Sequence, residues 1–380
     1  MKILHAADLH IDSPLGGLTA YEGAPVGEIR GATRRAVENL VSAAVEREVD
    51  LVVLGGDIFD GDWRDFNTGL FWVGQLGRLH DARIPVVMVA GNHDAASEIS
   101  RHLRMPPNVT QLSESSPETK VFDDLEVAVV GQGYATRAVT TDLASSFPDA
   151  DSQLFTLGLL HTSLDGRPGH ASYAPCAVEE LRSKGYDYWA LGHVHQREEV
   201  HADPWIVFPG NLQGRHAREV GPKGATLVTV RSKEVEAIEP LELDDVRWHR
   251  CVVDAAELAG ADDVLAAIAD RFASIAHEPG HRLAAVRVQL VGASPAHEEL
   301  WRDPHGLEAE IRSIAVRAER VWVEKVTIET TRALDLAQAR EDDVVGVLAK
   351  RIADLRSDPE LLAAYEPLFS DLRKKIGADA

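Results

Sequence analysis

Cysteine is nearly absent from this chain: Cys176 and Cys251 are its only two in 380 residues, and neither belongs to a CxxC pair. That argues against a disulfide framework and against a thiolate zinc site, and leaves both thiols as expected core residues. Long apolar runs are missing too, none approaching the roughly 20 residues that span a bilayer. The start MKILHAADLH enters a strand-like segment without the apolar stretch and cleavage site of a signal peptide. A soluble cytoplasmic protein with no membrane partner is expected. Basic charge is scarce: 39 Lys and Arg stand against 61 Asp and Glu, a net charge of -22, with no basic run. Proteins that hold nucleic acid unaided usually present a basic face. Such a ligand would therefore need bound metal ions, a few local cations, or a partner that brings the positive surface. The same acidity would equally serve to keep a soluble protein dispersed.

What is present is a regular alternation. Apolar runs at Lys2 to Ala7, Asp50 to Leu54, Pro85 to Ala90, Leu125 to Val130, Leu154 to Leu160 and Tyr188 to Leu191 read as central strands, each followed by a loop rich in Gly, Asp, Asn or His. Helical patterns such as Thr33 to Glu48 and Cys176 to Lys184 lie between them, so layered sheets covered by helices are expected. A further strand pair is expected around the glycine-rich segment Pro209 to Gly224. From about Asp244 the pattern changes to a smaller α+β unit. It comprises a strand near His249 to Val253, a helix at Ala261 to Ala276, a strand at Leu283 to Val291, a helical stretch interrupted by Pro304, and a strand at Val321 to Glu329. Two amphipathic helices follow from Glu341. The expected organisation is residues 1–243, 244–332 and a helical tail at 333–380.

Five short motifs carry the chemistry: Asp8-Leu-His10, Gly56-Asp57, Gly91-Asn92-His93-Asp94, His161, and Gly192-His193-Val-His195. Each follows the C-terminal end of a strand candidate, the edge at which loops of α/β sheets gather into a ligand site. A mixed carboxylate, amide and imidazole set suits first-row metals such as Mn, Fe or Zn better than Ca or Mg, which prefer oxygen shells. Seven ligands exceed what one ion takes. Two ions roughly 3.5–4 Å apart need a bridging group, and a carboxylate with two oxygens, here Asp57, fills that place.

In this order the motifs resemble those of the calcineurin-like metallophosphoesterase superfamily. The resemblance covers roughly the first 230 residues and implies a four-layer αββα sandwich with a smaller α+β capping domain. It implies that Asp8, His10, Asp57 and His195 hold one divalent metal ion and Asp57, Asn92, His161 and His193 the other. His93 is then left free of metal as the general acid or transition-state stabiliser. Asp94 either orients His93 or caps the helix beginning at Ala95. The start KILHAADLHID, the segment GGDIFDG and the second α+β unit further resemble SbcD-like DNA nucleases, most closely their YhaO-like branch. That implies a metal-dependent DNA exonuclease, Mn as the expected metal, a homodimer, and a coiled-coil ATPase partner resembling SbcC. One position departs: many such nucleases have a histidine where this chain has Asp60, which bears on the balance of exonuclease and endonuclease activity.

A calcium loop at Asp57 to Thr68 fails, because its acids fall at positions one, four and six and Thr68 stands where glutamate belongs. His5, inside the first strand, is expected to be a core histidine, and Trp63, Phe66, Phe71 and Trp72 to pack, with base stacking as the lesser alternative. Arg215 and His216 are weaker candidates for phosphate contact. The apolar stripes of the tail suit docking on a partner or packing on the chain's own second domain. A small-nucleotide phosphodiesterase or phosphatase, and a non-catalytic scaffold, stand beside the nuclease as alternatives, although a scaffold has no need of all eight site residues.

Overall fold

The computed structural model describes residues 1–13, 25–60, 66–96, 103–166, 173–280 and 282–333. The helical tail expected from Glu341, together with Trp63, lies outside them. By contacts the chain divides into two units: Met1–Val253, Leu265–Gln289 and His305–Thr327 form the first, Asp254–Val264, Leu290–Pro304 and Ile328–Ala380 the second.

Twelve strands of the first unit form two six-stranded sheets. In chain order they are β1 (Lys2–Ala6), β2 (Leu51–Leu54), β3 (Val86–Met88), β4 (Val109–Gln111), β5 (Glu118–Phe122), β6 (Val127–Gln132), β7 (Phe155–His161), β8 (Tyr188–Gly192), β9 (Glu198–Ala202), β10 (Trp205–Phe208), β11 (Gly224–Arg231) and β12 (Glu234–Glu242). One sheet has the order β12-β11-β1-β2-β3-β4 and the other β5-β6-β7-β8-β10-β9. Strands β1 to β4 of the first sheet and β6, β7, β8 and β10 of the second are parallel; antiparallel β11 and β12 close one edge of the first, whose other edge is the parallel β4, and antiparallel β5 and β9 close both edges of the second.

The central strands read as unbroken apolar runs because both of their faces are buried. Ile3, Leu51, Val53, Leu157, Leu159, Tyr188 and Ala190 point into the layer between the sheets. Their neighbours Leu4, Ala6, Val52 and Leu54 point outward onto helix α1 (Val26–Glu46) and helix α2 (Phe66–Asp81). On the far side Leu160, Trp189 and Leu191 meet Leu181 of the short helix α3 (Val178–Ser183). Four layers, helix, sheet, sheet and helix, follow from that period of two. Helix α1 turns Ala36, Val37, Leu40, Val41 and Ala44 onto its sheet at helical spacing. Both cysteines are buried and unpaired, and His5 is a core histidine, hydrogen-bonded to Tyr188 Oη and the Leu191 carbonyl at 3.0 Å each.

Two expectations need correction. The strands on either side of Pro209 to Gly224 do not pair: β10 lies in one sheet and β11 in the other, so the segment between them crosses from sheet to sheet. Of the aromatic cluster, Trp72 is buried and Phe71 packs against the core, but Phe66 is 70% exposed at the start of α2.

Beyond the sandwich come β13 (Val246–Asp254), α4 (Ala261–Ala276), β14 (Leu283–Val291), β15 (Ala293–Ser294), α5 (His297–Arg302), α6 (Pro304–Arg317), β16 (Val321–Ile328) and β17 (Thr331–Arg332). Strands β13, β14 and β16 make a three-stranded sheet. Pro304 opens α6, where its missing N–H costs nothing. Within the first unit Val246, Trp248 and Ala285 pack with Ile29 and Ala32 of α1 and with Ala217. In the second unit β15 pairs in parallel with β17, and His297 Nδ1 meets Thr330 Oγ1 at 3.0 Å.

Candidate metal centre

All five motifs stand at the C-terminal ends of parallel strands. Asp8 and His10 follow β1, Asp57 follows β2, Asn92 and His93 follow β3, His161 ends β7, and His193 and His195 follow β8. The two sheets bring these ends together. At Gly192 a side chain would run into the Gly55 carbonyl, and at Gly91 into the Asp57 carboxylate, so glycine is what lets the loops approach. Asp8, His10, Asp57 and His193 all have positive φ, between 44° and 102°. Such strain in non-glycine residues persists only where the surroundings over-determine it.

The donor atoms converge in three groups, Asp8 with His10 and His195, Asp8 with Asp57 and His161, and His10 with Asp60 and His93, each with its ligand atoms within 4.8 Å of one another. His161 Nδ1 lies 2.8 Å from the Gly55 carbonyl, so Nδ1 carries the proton and Nε2 offers a lone pair. That lone pair faces Asn92 Oδ1 at 3.0 Å and Asp57 Oδ2 at 3.5 Å. Asp57 Oδ2 is also 3.9 Å from His10 Nε2, which in turn lies 3.2 Å from His195 Nε2. The His193 ring meets the His161 ring at 5.2 Å, and the His193 backbone N–H donates to Asp8 Oδ2 at 3.0 Å. Buried acceptors aimed at one another without protons between them are costly, and cations between them complete the arrangement. The carboxyls report the same: burial pushes Asp57 up to about 6, while burial and then the charge of Asp57 raise Asp8. The residues therefore fit a pair of divalent ions.

His93 lies at the edge of those donors, its ring centroid 5.0 Å from that of His10. Its backbone N–H donates to Asp57 Oδ1 at 2.9 Å, and its ring Nδ1 lies 3.1 Å from Asp60 Oδ1. Burial works against its charged form, but the Asp60 and Asp57 carboxylates outweigh it and hold His93 above the ordinary imidazole value. Asp60 also receives the Ser13 hydroxyl at 2.7 Å and lies 3.4 Å from His10 Nδ1. The Asp94 carboxylate accepts the Gly91 and Phe59 N–H groups at 3.0 Å each, tying the third motif's loop to the second. Thus the carboxylate beside the His93 ring is that of Asp60.

Arg215 reaches this neighbourhood, its guanidinium 3.6 Å from Asp60 Oδ1 and 3.7 Å from Glu219 Oε1. His216 lies farther out, 56% exposed, with Nε2 3.7 Å from Glu219 Oε1. Glu219 itself was missed in the sequence. It comes from the crossing segment between β10 and β11 and places Oε1 2.7 Å from His195 Nδ1. No local pattern marks it, because its partner lies 24 residues away in the chain.

The profile of the calcineurin-like phosphoesterases matches residues 1–197, just over half the chain, and that of the metallophosphoesterase YhaO middle domain matches residues 248–331. The chain belongs to the calcineurin-like phosphoesterase family, whose members work with a dinuclear metal site and hydrolyse phosphoesters. It is 33% identical to the uncharacterised metallophosphoesterase YhaO of Bacillus subtilis over 88% of this chain and 83% of that protein. It is also 27% identical to the DNA double-strand break repair protein Mre11 of Methanopyrus kandleri, over 56% of this chain and 48% of that protein. Among solved structures, a dimetal phosphatase from Danio rerio matches 61% of this chain and 93% of its own, at 13% identity and a TM-score of 0.37. No helix of the described residues is long and apolar enough to cross a membrane.

Proposed function

We propose that this chain is a metal-dependent DNA nuclease, an exonuclease of the SbcD-like kind that uses two ions, with Mn as the expected metal. The reading rests on the convergence of Asp8, His10, Asp57, Asn92, His161, His193 and His195 with His93 beside them at the edge of the cluster. The similarity to Mre11 supports DNA as the substrate.

Bound there, the two ions would neutralise phosphate oxygens and lower the pKa of a shared water to near neutrality. The remaining duties fall to side chains. His93, held on Nδ1 by the Asp60 carboxylate, presents Nε2 to the leaving oxygen and donates its proton as the ester bond breaks. Arg215 offers positive charge beside Asp60 where a phosphate oxygen would sit. Residues 244–332 serve as the capping domain and 333–380 as the element that binds a coiled-coil ATPase, in a cytoplasmic homodimer.

A second reading, hydrolysis of a small nucleotide, draws support from the net charge of -22, which disfavours approach of a long polyanion. Hydrolysis of linear duplex DNA, single-stranded DNA and small phosphodiesters with added Mn separates the two. Degradation of DNA supports the nuclease. Turnover of small diesters alone, with a candidate ATPase partner also present, sinks it.

A further inference from the structure

The ring of the candidate ligand His195 is gripped by a carboxylate brought from the crossover loop between β10 and β11. Glu219 Oε1 lies 2.7 Å from His195 Nδ1. Its other oxygen accepts the Asn211 side-chain amide at 3.0 Å and the Arg215 backbone N–H at 2.8 Å. The Arg215 guanidinium stands 3.7 Å from Oε1 and offsets the charge, and His216 Nε2 lies at the same distance. The loop is pinned at both ends of this contact. Asn211 N–H donates to the His195 carbonyl at 3.2 Å and its side chain to the Gln213 carbonyl at 2.8 Å. Lys223 Nζ donates to the same His195 carbonyl at 2.8 Å. Glu219 is only 8% exposed.

Carboxylates accept and never donate when ionised, so the atom that faces Glu219 must be a protonated Nδ1. The proton is thereby kept off Nε2, which lies 3.2 Å from His10 Nε2 inside the cluster. We propose that Glu219 is a positioning residue that fixes the tautomer and the ring orientation of His195 for metal binding. The inference rests on the two-metal reading of the site. It makes the segment from Asn211 to Lys223 a structural support for one of the two ion positions, the one nearer His10. His161 has its own anchor in the Gly55 carbonyl, so the other position does not depend on Glu219.

Glu219→Gln separates tautomer control from shape. A glutamine can accept from Asn211 and Arg215 only by turning its NH2 toward His195. That group needs a lone pair on Nδ1, which moves the ring proton to Nε2 and takes the ligand atom away. Loss of such a partner typically weakens metal binding by about 10- to 100-fold. The test is calorimetric titration of Mn into the full chain stripped of metal, with thermal unfolding in chelator as the measure of fold. Two Mn ions on the wild type, one weakened about 10- to 100-fold in Glu219→Gln at an unchanged melting temperature, supports the assignment. A double variant with His195→Gln distinguishes positioning from general support, since Glu219→Gln should then cost nothing further. Two ions bound as tightly by Glu219→Gln as by the wild type overturn the inference and leave the two-metal reading intact. A wild type that takes up no pair of ions overturns both. Should the glutamine variant fail to fold, Glu219→Asp, which draws the carboxylate back by one methylene, is titrated in its place with the same two outcomes.

Discussion

Replacing His93 by alanine tests the division of labour in the site most directly. The substitution spares the metal donors: the His93 contact with Asp57 Oδ1 is made by its backbone N–H, which alanine keeps. It also opens no core cavity, because the side chain is 28% exposed. What disappears is the proton donor held by Asp60. General acid catalysis contributes about 100- to 10,000-fold, or roughly 2.7–5.4 kcal/mol of barrier at 1.36 kcal/mol per decade. His93→Ala should therefore bind Mn with wild-type stoichiometry and hydrolyse DNA about 100- to 10,000-fold more slowly. The leaving group adds a second reading. An alkoxide needs the proton badly and a nitrophenolate hardly at all, so the deficit should shrink on a nitrophenyl diester. Initial rates on both substrates, beside elemental analysis of the purified variant, decide the matter. A residual rate on DNA above about a tenth of wild type, or equal deficits on the two esters, refutes the assignment.

Asp57→Asn should be the most damaging single change among the ligands, because Oδ2 lies within 3.5 Å of His161 and 3.9 Å of His10 and an amide has neither the charge nor the second good oxygen. Elemental analysis should find both ions depleted; two retained ions with near-normal hydrolysis would remove the bridge from the account. A pH effect is expected at His5, whose burial lowers its pKa to about 3 from an ordinary 6.5. The unfolded chain takes up the proton first, so stability held above about pH 6.5 falls as pH drops toward 3, by up to about 1.4 kcal/mol per unit. Denaturant unfolding at about pH 7.5 and 5.5 should show a shallower loss for His5→Gln than for wild type, and parallel losses would contradict it. At Gly158 a methyl group would enter the Trp189 ring, which stacks on Tyr186 at 4.6 Å between centroids. Gly158→Ala should cost about 1–3 kcal/mol, and an unchanged melting temperature would show that the layer yields more easily than its packing implies.

Much of this molecule is written locally. The central strands announce themselves because burial on both faces demands apolar residues at every position, and α4 and β14 match their expected limits of Ala261 to Ala276 and Leu283 to Val291. Polar residues that interrupt such runs at their C-terminal ends are visible for the same reason, and the candidate ligands were found that way. The edge strands β4, β5, β9 and β12 escaped, since strands half open to solvent need no continuous apolar pattern. Periodicity says that a segment is a strand but not which sheet it joins. That β10 and β11 belong to different sheets depends on neighbours far along the chain. The same holds for Asp60 beside His93 and for Glu219 beside His195. A ligand's identity is set by its own chemistry and its place at a strand end. The group that holds that ligand's far nitrogen is set only by which loop folds back over it.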